Sequence, residues 1–172
     1  MAGLPPVDLR RESLTMESPE SPALRALLEK QPVAVLSTLH EGEPSGSMVP
    51  FALLPRGRGF IIHVSRLAAH TEDLLANPAV GLLVMADTDP AATPLARPRV
   101  SVQGRARPLP PEDPVYAEAR AAYLAKLPES AGLFSFGDFS LVLIEVRTVR
   151  HVAGFGRART LTAEQFSILF AN

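Results

Sequence analysis

The chain contains no cysteine. That excludes disulfides, thiolate metal sites and a thiol nucleophile, and it fits a reducing, cytoplasmic setting. There is no charge excess either: 17 Lys and Arg stand against 18 Asp and Glu. No general electrostatic attraction to nucleic acid or to a membrane surface is expected. No apolar run approaches the roughly 18 residues of a membrane span. The stretch MAGLPPVDLRRESLTMESPESP at the N-terminus is too broken by proline and charge to read as a signal peptide.

Several catalytic signatures are missing as well. His40, His63, His70 and His151 fall in separate segments without metal-ligand spacing, so no metal site is expected. No G-x-S-x-G nucleophile elbow occurs, and Gly42 to Gly46 (GEPSG) lies in a hairpin context that would not build one. No G-x-G-x-x-G follows the first strand, which removes a Rossmann dinucleotide site.

What is present is a well-filled core. With 172 residues, 47% of them hydrophobic, the chain suits one domain. Residues 1–20 read as a flexible arm, with Leu4, Val7 and Leu9 able to pack across a partner, and 21–172 as the single domain. Ser21-Pro22 opens a short helix with Leu24, Leu27 and Leu28 on one face. Strands follow at Pro32 to Leu39, Ser45 to Leu54 and Phe60 to Ser65, joined by the turns HEGEP and PRGRG. A helix at Thr71 to Ala76 is stopped by Asn77-Pro78, and Val80 to Ala86 is an apolar strand.

After a proline-rich loop, Arg99 to Arg107 alternates polar and apolar residues as a half-exposed strand does. A helix from Pro111 to Ala125, a glycine-punctuated stretch to Gly137 and a long strand from Phe139 to about Val152 complete the pattern. Last come the turn Gly154-Phe155-Gly156-Arg157 and a helix from Thr162 to Phe170, with Gln165 placed for a capping box. The first three strands are linked too briefly for parallel crossovers. The pattern predicts a mainly β, α+β fold: about six antiparallel strands in a small barrel with peripheral helices.

One segment invites a ligand. In FIIHVSRLAAHTEDLLANP (Phe60 to Pro78) an apolar strand runs through Ser65 and Arg66 into a helix opened by His70 and Thr71. Unpaired amides, short hydroxyls and the positive end of the helix dipole would favour an anion there, or simply cap the helix. Arg99, Arg105 and Arg107 share a strand face, open to an anion or to solvent. Phe155 in its glycine turn is open to stacking on a planar ligand or to a purely structural role.

Taken in order, VAVLSTL (33–39), GEPSGSMVPF (42–51), IIHVSRLAAHTEDLLANP (61–78), RPRVSVQG (97–104) and AGFGRA (153–158) resemble the pyridoxamine-phosphate-oxidase-like FMN-binding split-barrel superfamily. The L-A-x-H-T and G-F-G-x-A segments are most similar to its haem-utilisation branch. The resemblance spans residues 22–170. It implies a six-stranded split barrel that forms a homodimer and holds FMN in a groove between subunits, as an oxidoreductase acting on a small molecule.

On that resemblance Ser47, Met48, Val49 and Pro50 would line the flavin edge. Val64, Ser65 and Arg66 would form the polar strand end, His70 and Thr71 the phosphate anchor, and Gln103 would close the site from the partner. The chain departs from the oxidase pattern where His70 replaces a lysine, where Pro98 replaces a glutamine, and where Glu72 and Asp73 follow the anchor. The same branch implies two alternatives. One is a haem-binding or haem-degrading protein, with His63 or His151 on iron and arginine on the propionates. The other is a cofactor-free scaffold.

Overall fold

The computed structural model describes residues 20–91 and 93–171. The arm read at the N-terminus lies outside these, apart from Glu20, which opens the first helix. In chain order the elements are α1 (Glu20–Lys30), β1 (Val33–His40), β2 (Glu43–Leu54), β3 (Gly59–Ser65), α2 (Ala69–Ala76) and β4 (Ala79–Met85). Then come β5 (Arg99–Leu109), α3 (Tyr116–Lys126), β6 (Phe139–Gly154), β7 (Arg157–Thr162) and α4 (Ala163–Leu169). A run of tight turns over Pro128–Ser135 links α3 to β6.

All strand pairs are antiparallel, in the order β3-β2-β1-β4-β5-β6-β7, and a further β3–β6 pairing closes the first six into a barrel. Long β6 makes closure possible. Its first half lies between β5 and β3, from Phe139 opposite Ser65 to Ile144 opposite Phe60. Its second half lies between β5 and β7. A bulge divides the halves: Gln103 pairs with Thr148 but Gly104 with Val146, leaving Arg147 as the extra residue. Glycine is needed opposite this bulge, because a Cβ at Gly104 would sit 2.7 Å from the Glu145 carbonyl oxygen.

Burial explains the residue patterns. Phe51, Phe60, Ile62, Val84, Val100 and Ile144 fill the barrel interior with their neighbours, and Leu24 and Leu28 of α1 cover it. A second cluster lies outside the barrel wall, where Ile61, Leu141 and Leu143 pack under Ala119, Tyr123 and Leu127 of the α3 layer. Strands β3 and β6 are therefore covered on both faces where they meet, and they read as continuous apolar runs, FIIHV and LVLI. Strand β5 has one solvated face and alternates.

The expected barrel with its peripheral helices is present, with differences at the edges. Strand β2 starts at Glu43 because Glu41 (φ 51) and Gly42 (φ 89) alone make the turn, a left-handed pair suited to a tight hairpin. Helix α2 starts two residues before Thr71, and α3 starts only at Tyr116, after turns through the proline-rich stretch. The segment expected as a simple turn into the last helix holds a seventh strand, β7. Five of its six residues are exposed, so it carries no apolar alternation. Backbone pairing to β6 makes it a strand. The capping box of α4 is formed, with Thr162 Oγ1 accepting from the Gln165 amide and the Gln165 side chain accepting from the Thr162 amide.

Candidate functional site

The barrel is split between β2 and β3. Their pairing ends at Phe51 opposite Ile62, yet both strands run on. Beyond that point β2 continues beside β1 alone and β3 beside β6 alone. Had the ladder continued, Val49 would face Val64 and Met48 would face Ser65. The expected flavin-edge residues and the polar strand end thus form the two lips of one opening. Val49 and Val64 point into the core, while Met48 is 66% exposed. Ser47 is half-buried and Pro50 exposed.

At the end of β3 the chain makes its elbow into α2. Ser65 Oγ donates to Asp138 Oδ2 at 2.5 Å and accepts from the Leu67 amide at 3.1 Å. The Arg66 amide donates to the Asp138 carbonyl, and its guanidinium to the Gly137 carbonyl at 2.7 Å. Thr71 Oγ1 donates to the Ser65 carbonyl at 2.7 Å. The residue capping α2 is Ala68, which has no side-chain oxygen to offer. Leu67 is 85% exposed and Phe136, beside Gly137, is 55% exposed, so apolar surface flanks the elbow on both sides.

Electrostatics distinguish the four imidazoles. His70, half-buried at the start of α2, is lowered from its ordinary pKa by desolvation, which the nearby Asp73 carboxylate only partly opposes. It is therefore neutral at pH 7 and adds no cation to the elbow. His63 is 6% exposed and is pushed down to about 4 by burial. Its ring stacks on Phe134 at 4.0 Å and contacts Tyr123 and Phe139. His151 is buried in the wall of a cavity of about 240 Å³ under α1. His40 is raised, first by its hydrogen bond to Asp73.

The elbow brings together Ser65, Arg66, His70 and Thr71, with Val64 beneath them and Ser47 to Pro50 across the split. Gln103, expected to close the site from a partner subunit, lies elsewhere in the same chain. That residue sits on the outer face of β5, where its Oε1 accepts from Thr148 Oγ1 at 3.1 Å. Strand order puts it three strands from β2, about 14 Å at the usual strand spacing. Of the alternative iron ligands, His63 sits on the β3 lip of the split with its ring covered by Phe134 and Phe139, and His151 is buried under α1. Among the described residues no His, Asp and Glu cluster is arranged to hold a metal ion, and no helix is long and apolar enough to cross a membrane.

Sequence reasoning missed Asp138 at the elbow and the trio Thr38, His40 and Asp73 behind it. Asp138 is 73 residues from Ser65, and Asp73 is 35 from Thr38. Only barrel closure through β6, and the folding of α2 back onto β1, bring them together.

An antiparallel barrel split between its second and third strands, with a strand-to-helix elbow at the split, defines a small class of ligand-binding β-barrels. The family model for pyridoxamine 5'-phosphate oxidase matches residues 21–153, and the chain belongs to that family. Among curated proteins it is 42% identical over 138 residues to the non-canonical heme oxygenase HOZ of the Arabidopsis thaliana chloroplast, covering 78% of this chain. It spans only 40% of that relative's length. It is 23% identical over 145 residues to the heme oxygenase HutZ of Vibrio cholerae, covering 83% of this chain and 81% of that protein. Among solved structures, a heme binding protein from Mycobacterium smegmatis superposes with a TM-score of 0.78 at 30% identity, over 90% of this chain and 62% of that one.

Proposed function

We propose that the protein binds haem, not FMN, at the split between β2 and β3, and that it acts in haem degradation. The carrying observation is the chemistry of the elbow. The Ser65 and Thr71 hydroxyls are already spent within the chain, His70 is neutral, and the Asp138 carboxylate stands where a flavin phosphate would need donors. A dianionic phosphate beside that carboxylate would meet about twice the repulsion that a singly charged propionate meets, with few hydrogen bonds to offset it. A tetrapyrrole makes different demands. Its broad apolar face suits the exposed Leu67, Phe136 and Met48, and a propionate at its rim suits the Arg66 guanidinium.

The relatives named as heme oxygenases and as a heme binding protein support this reading. Bound haem would supply both the iron that activates dioxygen and the macrocycle that is oxidised. The chain's own contribution is to hold the macrocycle flat against apolar side chains, to fix its propionate edge and to exclude water from its face.

Homodimerisation belongs to the same proposal. The outer barrel face carries Met48, Val35 and Leu83 as paired neighbours on β2, β1 and β4, with Val33 beside them. A contiguous apolar row in which Met48, Val35 and Val33 are exposed and Leu83 is half-buried is unusual for a monomer surface. A second copy covering it would deepen the split into a groove.

Haemin titration followed at the Soret band tests the function. Saturable binding to the wild type is expected, weakened about three- to tenfold by Arg66→Glu, with loss of the band when a reductant and oxygen are supplied. Tight, saturable binding of FMN with no response to haemin would overturn the reading.

A further inference from the structure

Asp73 lies one helical turn beyond His70, on the side of α2 that packs against β1, and is only 5% exposed. A carboxylate that deep needs partners, and both come from one strand. Thr38 Oγ1 donates to one oxygen at 2.9 Å, and His40 Nδ1 meets the other at 2.7 Å. The hydrogen bonds from Thr38 and His40 tie the helix that carries the elbow to the barrel wall.

The two ends of the His40 ring play different parts. Facing a carboxylate, Nδ1 carries a proton whether the ring is charged or neutral. The titrating proton therefore adds at Nε2, on the exposed half of a side chain that is 54% accessible. The bond to Asp73 survives titration, and the net charge of the pair does not. It is zero with His40 protonated and minus one without.

We propose that Asp73 and His40 are positioning residues for the elbow: the pair fixes α2 on β1, and its charge sets how strongly the elbow accepts an anionic ligand. This rests on the haem reading, in which the anionic groups are the propionates. The charged and titratable groups around His40 are Asp73 and Glu72 of α2, Glu41 in the turn and Glu43 opposite it on β2, while His70 also feels Asp73. Apart from His70, which is neutral, these neighbours are acidic, so the His40 charge is the one that offsets them.

The hydrogen bond and charge of Asp73 raise His40 above 6.5, while the same bond, and that from Thr38, hold the Asp73 carboxyl below its usual range. The sign follows. Below pH 6.5 His40 is protonated, the pair is neutral, and an anion binds best. As pH rises through the raised value the pair becomes negative and binding weakens.

The test is a haemin titration from pH 6 to 8.5 at low salt on the wild type, His40→Gln and Asp73→Asn, with haemin dimethyl ester as the neutral probe. Glutamine keeps a donor toward Asp73 and removes the titrating charge. Wild-type haemin affinity should fall about three- to fivefold more over this range than that of His40→Gln, the scale of one unit charge near a surface. Asp73→Asn should move the fall to lower pH, because His40 still titrates but loses the carboxylate that raises it, and the ester should not distinguish the proteins. The same pH profile in wild type and His40→Gln, or an ester response equal to that of haemin, would overturn the proposal. Should the wild type take no haemin, the haem reading fails alone. The pair is then tested with inorganic phosphate, read from the amide shifts of Ala69 and His70, with the same expected difference between wild type and His40→Gln and the same overturning result.

Discussion

His63 has a buried Nδ1 without a hydrogen-bond partner among the described residues, inside a box made by Tyr123, Phe134 and Phe139. Such a nitrogen is costly to bury, and its proton more so. The depressed value of about 4 makes this a stability statement. Above pH 6.5 the ring is neutral folded or unfolded and contributes no pH dependence. As pH falls from 6.5 toward 4 the unfolded chain takes up a proton that the folded one refuses, so stability drops by about 2–3 kcal/mol and then levels off. His63→Phe, which keeps a ring of similar size, should remove that acid limb and match or exceed wild-type stability at pH 7. Thermal melts between pH 7 and 4 read both effects. From the sequence this residue was one candidate imidazole among four. What separates it is cover from an aromatic more than 70 positions away, and spacing along the chain carries no trace of such cover.

At the scale of elements, periodicity was readable wherever one face of a strand meets solvent. Strand β5 is the clearest case, its arginines and polar residues outward and its valines inward. Strand β7 was not legible, since an exposed edge strand is held by backbone bonds that leave no side-chain pattern. Helix α4 shows the opposite situation, in which a local signal determines a local structure. Its capping box was predictable from Thr162 and Gln165 because both partners lie within four residues. Thr162→Ala should cost about 1 kcal/mol in denaturant unfolding. Gln165→Ala should cost less, because the Thr162 cap to the helix amide remains. Equal and negligible effects would mean that the packing of Phe166 in the core, not its cap, holds α4 in place.

For the whole molecule, the proposed dimer is tested on the outer row of Met48, Val35 and Leu83. Val35→Glu places a charge in the middle of that row while leaving the inward residues Ala34 and Leu36 untouched. It should convert a dimer to a monomer in sedimentation velocity, with the barrel's circular dichroism unchanged. Monomeric wild type would remove the dimer proposal. The elbow was readable as a strand running into a helix with polar residues between, and the ordered motifs were enough to indicate the family. Its chemistry was not readable. The amino-acid sequence by itself determined where chain segments are apolar on one face, on two faces or on none, and this dictates a small antiparallel barrel, because burial and backbone pairing are satisfied locally along each strand. Only the tertiary structure decided what the elbow can hold. Barrel closure brings Asp138 onto Ser65 and packs Asp73 onto Thr38 and His40, and a site's charge is the sum over neighbours in space, not along the chain.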